Sequence, residues 1–208
     1  MLKAESMVKA TGLIVLCGGR SRRFGADKAA CVIGGATLLE RVVSVLSVLE
    51  REIIFVGAGP LPAPRPGKIS SRWVSDVYPG AGPLGAVYSG LAASGYPYNL
   101  VVACDMPFLN GELLSHMMAE ASGYDLVIPR SGDYVEPLHA VYAQACRDIL
   151  AQLIAQGQLQ LQALLSRVRV RYIDEAEWRR FDPERRSFFN INTREDLARA
   201  QRIAAGGE

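Results

Sequence analysis

Short, continuous apolar runs that end in glycine or polar residues recur through the first part of the chain. Three of them, at 12–17 (GLIVLC), 52–57 (EIIFVG) and 98–104 (YNLVVAC), have the length and composition of strands buried on both faces. Two shorter runs, at 72–76 and 125–129, predict further strands. The pattern therefore predicts a sheet that is covered on both sides.

Between these runs, apolar residues recur at helical spacing. This spacing predicts helices over 37–49, 83–94 and 110–122, the last with Asn110 as its cap. Because strands alternate with helices, the first 130 or so residues are predicted to form βαβ units. The predicted fold class is α/β, a three-layer α/β/α sandwich with a mostly parallel, Rossmann-like sheet.

The pattern changes in the last third of the chain. We interpret residues 131–187 as helical and irregular, a small region appended to the sheet. The run FFNIN at 188–192 predicts a late strand, and 193–205 predicts a terminal helix whose first turn is acidic. No linker separates two units, so we expect a single domain over 11–208, preceded by a flexible tail at 1–10.

Composition and charge exclude several classes of function. The 208 residues carry 23 basic and 21 acidic side chains, a net charge of +2 that favours neither nucleic acid nor a membrane surface as a partner. The start of the chain lacks the apolar core of a signal peptide, and no apolar run approaches the ~20 residues that span a bilayer. The four cysteines lack metal-site spacing and fit buried thiols in a reducing compartment. We therefore expect a cytoplasmic protein.

A glycine-rich basic stretch, CGGRSRRFGADK at 17–28, follows the first predicted strand. Ligands of parallel sheets bind at the carboxyl ends of the strands. Gly18 and Gly19 allow backbone amides to approach an anion closely, and Arg22 and Lys28 add positive charge. The stretch is not a Walker A loop. We interpret it as a triphosphate cradle, with a solvated polar loop as the alternative.

A carboxylate follows the most apolar of the predicted strands. Asp105, in the segment ACDMP, is expected at the same sheet edge as the glycine-rich stretch. A carboxylate beside a polyphosphate is suited to hold Mg²⁺. The alternative is a turn or helix-capping aspartate before Pro107.

The segment SDVYPGAGPLG at 75–85 has a glycine pattern typical of dinucleotide sites. Gly80, Gly82 and Gly85 spell GxGxxG before a predicted helix, and Asp105 ends the next strand as the acid of that fingerprint does. A lone GxGxxG is a weak signal, and another glycine-rich loop already occupies the first βα position. We favour a backbone wall around a base, with Asp76 accepting a hydrogen bond from the base or its ribose.

Two amides and two histidines complete the candidate chemistry. Asn190 and Asn192 share one face of the predicted late strand, because side chains alternate with period two. His139 is interpreted as structural in preference to catalytic, and His116 has no evident partner. The sequence contains no legible Ser-His-Asp arrangement.

Taken in order, these motifs resemble those of the molybdenum cofactor guanylyltransferases, a branch of the wider nucleotidyltransferases. The stretch LIVLCGGRSRRFGADKAACVIGGATLLERVV is similar to their signature GGxSxRxGxDK. The likeness continues through DVYPGAGPLGAV, VVACDMPFL, EPLHAVY and FFNINTREDLARAQ, so it covers most of the chain in family order.

The resemblance implies a nucleotide-diphospho-sugar transferase fold and a reaction. That reaction joins GMP from GTP to the phosphate of molybdopterin and releases pyrophosphate. It also implies transient contact with enzymes that insert or receive the molybdenum cofactor. The implied nucleotide contacts are Leu16, Cys17, Gly18, Gly19, Lys28, Asp76, Gly82 and Asp105, with Asp105 on Mg²⁺ and Asn190 and Asn192 on the molybdopterin side.

One departure from the family pattern bears on the base. Some members have an asparagine that contacts guanine after the second strand, where this chain has Val56 and Gly57. Guanine is therefore less firmly implied than nucleotidyl transfer. The alternatives are a cytidylyl or sugar-phosphate nucleotidyltransferase and, in another class, a non-catalytic nucleotide-binding module.

Overall fold

Eight strands form one mixed, mostly parallel sheet in the computed structural model, which describes residues 7, 8, 10–18, 31–57 and 70–207. Their order across the sheet is β10-β7-β9-β6-β1-β4-β5, with β8 paired to β7, and β2 and β3 form a separate hairpin. The strands are β1 (Thr11–Leu16), β2 (Val32–Ile33), β3 (Ala36–Thr37), β4 (Ile53–Val56), β5 (Ser71–Val74), β6 (Tyr98–Ala103), β7 (Leu126–Ser131), β8 (Tyr134–Val135), β9 (His139–Ala143) and β10 (Val170–Ile173).

Three of the helices in the described residues begin at side-chain caps. Thr37 and Thr193 each form a capping box, with Glu40 and Asp196 respectively, and the Asn110 side chain accepts from the Leu113 amide. The helices are α1 (Leu38–Ser47), α2 (Gly82–Ala93), α3 (Gly111–Ala119), α4 (Cys146–Ala155), α5 (Glu175–Trp178) and α6 (Arg194–Ala204), with 3₁₀ turns at Leu161–Leu164 and Arg186–Phe188.

Alternation along the buried strands creates two separate cores. In β1, Leu13 and Val15 face the core that α1 and α3 cover, whereas Ile14 and Leu16 face the core that α2 and α4 cover. The other central strands divide their residues in the same way, so both faces of the sheet are apolar. The predicted three-layer α/β/α sandwich is confirmed.

The region 131–187, predicted as an appended segment, instead completes the sheet. β9 lies between β6 and β7 and runs antiparallel to both, while β10 pairs in parallel with β7. The prediction missed β9 because no helix separates it from β7. Its reversed direction brings its first residue, His139, opposite Val102 near the carboxyl end of β6.

The predicted late strand at 188–192 was wrong. The chain forms a 3₁₀ turn at Arg186–Phe188 and then runs extended without joining the sheet. The buried carboxylate of Asp182 accepts from the amides of Arg186 and Ser187, at 3.0 and 2.7 Å, and this stabilises the turn where a strand was expected.

Of the expected tail at 1–10, the structure describes residues 7, 8 and 10. There, Met7 and Val8 pack against the core that α1 and α3 cover, and Arg51 donates to the Val8 carbonyl. The remaining residues of that prediction lie outside the described ranges. None of the helices in those ranges has both the length and the apolar composition needed to cross a bilayer.

Candidate functional site

Three segments singled out in the sequence meet at the carboxyl ends of the central strands. The Cys17 amide donates to the Val56 carbonyl at 2.8 Å, and the Cys104 amide donates to the Leu16 carbonyl at 3.0 Å. The hydrogen bonding between neighbouring strands therefore continues for one residue past the ends of the strands. The structure thus brings the start of the glycine-rich stretch next to the residue that precedes Asp105.

The glycine-rich stretch is described only in part. Leu16 is buried in the sheet, Cys17 is half-buried, and Gly18 is exposed with open space where a side chain would project. Gly19, Arg22 and Lys28 lie outside the described residues. Their assignment to a triphosphate remains a prediction.

Gly57, directly after β4, packs closely against the backbone of Cys17. A β-carbon added to Gly57 would lie 3.1 Å from the Cys17 carbonyl oxygen and 3.2 Å from its carbonyl carbon, tighter than ordinary contact. Val56 is fully buried, so its side chain points into the core. At this position the edge can therefore present backbone groups to a ligand but no side chain.

Asp76 is held firmly where β5 ends. Its Oδ1 accepts from the Tyr78 amide and from the Ser89 hydroxyl, both at 3.0 Å. Ser89, on α2, is buried, and its hydroxyl oxygen also accepts a hydrogen bond from the Val77 amide at 2.9 Å. These contacts use one carboxylate oxygen, while Oδ2 takes part in no hydrogen bond among the described residues.

The glycines of the GxGxxG pattern have conformational and steric causes. Gly80 and Gly82 have φ of 103° and 63°, in the left-handed region that favours glycine. A β-carbon on Gly85 would lie 2.9 Å from the Ala81 β-carbon and 3.3 Å from Asp76 Oδ1. The pattern is therefore explained by a tight turn into α2, where Gly82 is the exposed first residue, and needs no nicotinamide dinucleotide.

Asp105 lies beside the segment that carries the two candidate asparagines. The Ile191 amide donates to the Asp105 carbonyl at 3.1 Å, and Ile191 itself is fully buried. Asn190 is half-buried and donates to the Phe188 carbonyl at 3.3 Å, while Asn192 is exposed. The structure therefore brings Asp105, Asn190 and Asn192 together.

The described residues do not by themselves provide an all-protein metal site. They contain no group of three or more His, Cys, Asp or Glu side chains that could hold a metal ion. Mg²⁺ in nucleotide sites commonly has one or two carboxylates, with substrate phosphates and water as its other ligands. A single aspartate such as Asp105 is compatible with that kind of site and not with an all-protein cage.

The edge has two differently built halves. The glycine half comprises the ends of β1, β4 and β5 and the turn into α2. The charged half comprises the ends of β6, β7 and β8, the start of β9 and the segment 182–192. Sequence reasoning found Asp105, Asn190 and Asn192 in the charged half but missed Glu136, which is 7% exposed. A signal was available, since Glu136 is an acid between apolar residues and next to a proline.

Burial perturbs the titratable groups of the charged half. It raises the pKa of Glu136 to about 7, against a smaller opposing effect of the Arg185 charge. Burial also lowers the pKa of His139 to about 3, and neither of its ring nitrogens has a hydrogen-bond partner among the described residues. His139 packs edge-on against Phe188, with 5.0 Å between ring centroids, and is neutral at pH 7.

The other histidine does have a partner. His116 Nε2 lies 2.7 Å from Glu177 Oε1, and the same carboxylate receives Arg171 at 2.8 Å. The ring also stacks on Phe181. These contacts tie α3 to α5 and are separate from the edge described above.

Comparison with known families adds an independent finding. Residues 13–172 match the family described as the MobA-like NTP transferase domain. The matched range begins in β1 and ends in β10, so it includes every strand of the main sheet.

Individual proteins resemble the chain over nearly its whole length. A probable molybdenum cofactor guanylyltransferase of Pelotomaculum thermopropionicum is 36% identical, covering 95% of each chain. The molybdenum cofactor guanylyltransferase of Desulfosudis oleivorans is 32% identical, covering 93% of this chain and 96% of the relative. The crystal structure of molybdopterin-guanine dinucleotide biosynthesis protein A from Archaeoglobus fulgidus superimposes with a TM-score of 0.79 at 34% identity, covering 94% of this chain and 100% of that one.

Proposed function

Because the chain belongs to the family of MobA-like NTP transferase domains and is a nucleotidyltransferase, we propose that it transfers GMP from GTP to the phosphate of molybdopterin. The products are pyrophosphate and molybdopterin guanine dinucleotide. Relatives that cover nearly the whole chain are named for guanylyl transfer, which supports this donor and this acceptor over a cytidylyl or sugar-phosphate reaction.

One observation carries the proposal, the hydrogen bond from the Ile191 amide to the Asp105 carbonyl. It joins the segment proposed to bind the donor phosphates to the segment proposed to bind the acceptor. Asn190 and Asn192 flank that bond in sequence. A donor in the glycine half and an acceptor in the charged half would therefore meet at Asp105.

The proposed chemistry is a displacement at the α-phosphorus of GTP. An oxygen of the acceptor phosphate forms a bond to the α-phosphorus, and the bond from that phosphorus to the bridging oxygen breaks, so that pyrophosphate leaves. The nucleophile is already an anion and needs no general base. This agrees with the state of the two histidines, since His139 is buried and neutral and His116 is engaged by Glu177.

The main barrier is repulsion between two anionic phosphates. We assign Lys28 and Arg22 to the donor triphosphate, where their charges would offset that repulsion as the leaving group develops. Asp105 is the residue that would hold Mg²⁺, which when bound neutralises charge on the phosphates. Catalysis is then positioning combined with electrostatic stabilisation.

Guanine selection in this proposal falls to the backbone. No side chain can act at Val56 or Gly57, because the first is buried in the core and the second contacts Cys17. The Val56 carbonyl accepts from Cys17 and the Gly57 amide donates to Val74, which leaves the Gly57 carbonyl as the group at the end of β4 that would read the base edge. Asp76 Oδ2 is available to a donor on the base or the ribose.

The test is pyrophosphate release with Mg²⁺ and molybdopterin, measured with GTP and separately with CTP. GTP-selective release is the expected result. CTP-selective release would assign the chain to cytidylyl transfer. Nucleotide binding without release from either would reject molybdopterin as the acceptor.

A variant at Lys28 separates binding from turnover in the same assay. Lys28→Ala is expected to weaken GTP binding and to lower the rate at saturating GTP, because its charge acts on the phosphates in both states. An unchanged rate at saturating GTP would limit Lys28 to binding.

A further inference from the structure

Glu136 has a buried carboxyl group that makes no short hydrogen bond and no ion pair with the described residues. The residue is 7% exposed, and its carboxylate accepts one long hydrogen bond, at 3.5 Å, from the Tyr134 hydroxyl. None of the described basic side chains lies within 4 Å of it as an ion pair. Burying a carboxylate without a firm partner is costly, so a ligand that supplies donors would recover free energy here.

The position of Glu136 places it on the charged half. Its amide donates to the Pro129 carbonyl at 3.1 Å, on β7, and its carbonyl accepts from the His139 amide at 3.0 Å, at the start of β9. β9 separates β7 from β6, which Asp105 follows. The connection that carries Glu136 lies directly beside β6, because the Ala103 amide at the end of β6 donates to the Leu138 carbonyl at 3.1 Å.

The positive charge of Arg185 acts on the same carboxyl. Arg185 has φ of 58°, a left-handed conformation that is unfavourable for a side chain with a β-carbon. The buried Asp182 fixes that conformation, because it binds the two amides that follow, those of Arg186 and Ser187. The Arg185 charge is close enough to Glu136 to oppose the rise of its pKa. Strain at a built turn that presents a charge is typical of a binding position.

We infer that Glu136 and Arg185 bind the pterin ring of the acceptor, an inference that rests on the proposed function. A pterin presents a ring N–H and an exocyclic amino group side by side, with a carbonyl next to them. A carboxylate can accept from both donors, and a guanidinium can donate to the carbonyl. The acceptor phosphate at Asp105 and the pterin at Glu136 would then span the charged half.

The structure supplies a matched pair of variants. Glu136→Gln keeps the shape of the side chain but removes its negative charge and one acceptor. Asp133→Asn makes the same chemical change at an exposed residue of the same turn. Thermal unfolding of both variants at pH 7 checks that neither loses its fold.

The first measurement is the affinity for 6-hydroxymethylpterin monophosphate, followed by pterin fluorescence, with GTP affinity measured separately. Glu136→Gln is expected to weaken pterin phosphate binding about 10- to 100-fold, the range for hydrogen bonds to a charged group. GTP affinity should not change, and Asp133→Asn should match the unmodified protein in both. Equal pterin affinity in Glu136→Gln and the unmodified protein would overturn the inference.

The pH dependence gives a second readout. The carboxyl must lose its proton to accept two hydrogen bonds, so pterin phosphate affinity should rise from pH 6 to pH 8. Tyr134 and Arg185 are the titratable groups that act on Glu136. The ligand phosphate titrates equally with both proteins, so a rise of the same size in Glu136→Gln would contradict the assignment.

Failure of this inference is distinguishable from failure of the proposed function. Pyrophosphate release with molybdopterin, in a protein that does not bind the pterin phosphate, would overturn the role of Glu136 and leave guanylyl transfer standing. No release with molybdopterin, despite GTP binding, would overturn the proposed function itself.

Discussion

The two halves of the binding edge are built by different means. The glycine half is formed by backbone in close contact, with Gly57 against Cys17 and with Asp76 fixed by Tyr78 and Ser89. In the part of the chain that the structure describes, the charged half contains Glu136, buried without a firm partner, and His139, whose ring nitrogens have no hydrogen-bond partner. The difference teaches that the glycine half is fixed by its own backbone contacts and hydrogen bonds, with Asp76 Oδ2 left available, whereas the buried groups of the charged half retain unmet hydrogen-bonding capacity among the described residues. Steric changes should therefore damage the first half, and changes of charge the second.

The largest effect should come from Asp105, the residue of the charged half that lies next to the glycine half. Asp105→Ala is expected to lower the rate of pyrophosphate release about 10²- to 10³-fold, because it removes the group assigned to Mg²⁺ at the reacting phosphates. Steady-state release from GTP at saturating substrate measures it. Asp133→Asn, in an exposed turn, should retain full activity. A near-normal rate in Asp105→Ala would exclude it from the reaction centre.

The next effect concerns stability and tests the charged half alone. The folded-state pKa of Glu136 is about 7, above the ordinary value of 4.5, so the folded protein binds more protons than the unfolded chain between those values. Stability should therefore fall as the pH rises from about 4.5 through 7. Glu136→Gln removes this loss and should be more stable than the unmodified protein at pH 8, by about 1–2 kcal/mol after discounting partial solvent screening.

Urea unfolding at pH 5 and pH 8 measures this difference. The gain should be present at pH 8 and small at pH 5, and Asp133→Asn should show no comparable change with pH. A gain in Glu136→Gln that is the same at both pH values would show that the carboxyl does not carry the expected cost of charge.

A steric change tests the glycine half. Gly57→Ala is expected to weaken GTP binding about 10-fold, since the new methyl group forces the Cys17 carbonyl to move by a few tenths of an ångström. Isothermal titration with GTP measures the affinity. Gly95→Ala is the control, because a β-carbon there meets nothing within 4 Å. Equal GTP affinity in Gly57→Ala and Gly95→Ala would show that the close contact between Gly57 and Cys17 is not needed for nucleotide binding.

The smallest expected effect compares two strained residues. Arg185 and Glu50 both have positive φ, 58° and 51°. Replacing either by glycine removes the side-chain strain but adds chain entropy, so each variant should gain at most about 0.5 kcal/mol. Urea unfolding measures the gain, and only Arg185→Gly should also weaken 6-hydroxymethylpterin monophosphate binding. Equal pterin phosphate affinity in the two variants would reduce Arg185 to a turn residue.

Much of the sheet could be predicted because its central strands are buried on both faces. The runs that became β1, β4 and β6 consist almost wholly of apolar residues, and few other structures are compatible with them. The cap at Asn110 was predicted for a similar reason, since the hydrogen bond that defines it is local.

The failures occurred where distant contacts decide the structure. The alternation in FFNIN predicts a strand. The Asp182 carboxylate, however, accepts from the Ser187 amide just before this run, and the run itself makes one backbone hydrogen bond to the β6 end, from the Ile191 amide to the Asp105 carbonyl. No helix precedes the run that became β9, so the expected alternation of strands and helices did not predict a strand there. Glu136 was missed because its burial depends on β8 and β9, which had not been predicted.

The reversal at β9 has a consequence for how such an enzyme can diversify. Because β7, β8 and β9 are joined by short turns, residues 126–143 form one contiguous stretch of sequence that supplies much of the charged half. The glycine half is encoded almost entirely upstream, before β6. If the two halves bind the two substrates as proposed, a small insertion, deletion or recombination within that stretch would replace the residues that select the acceptor and leave the donor site unchanged.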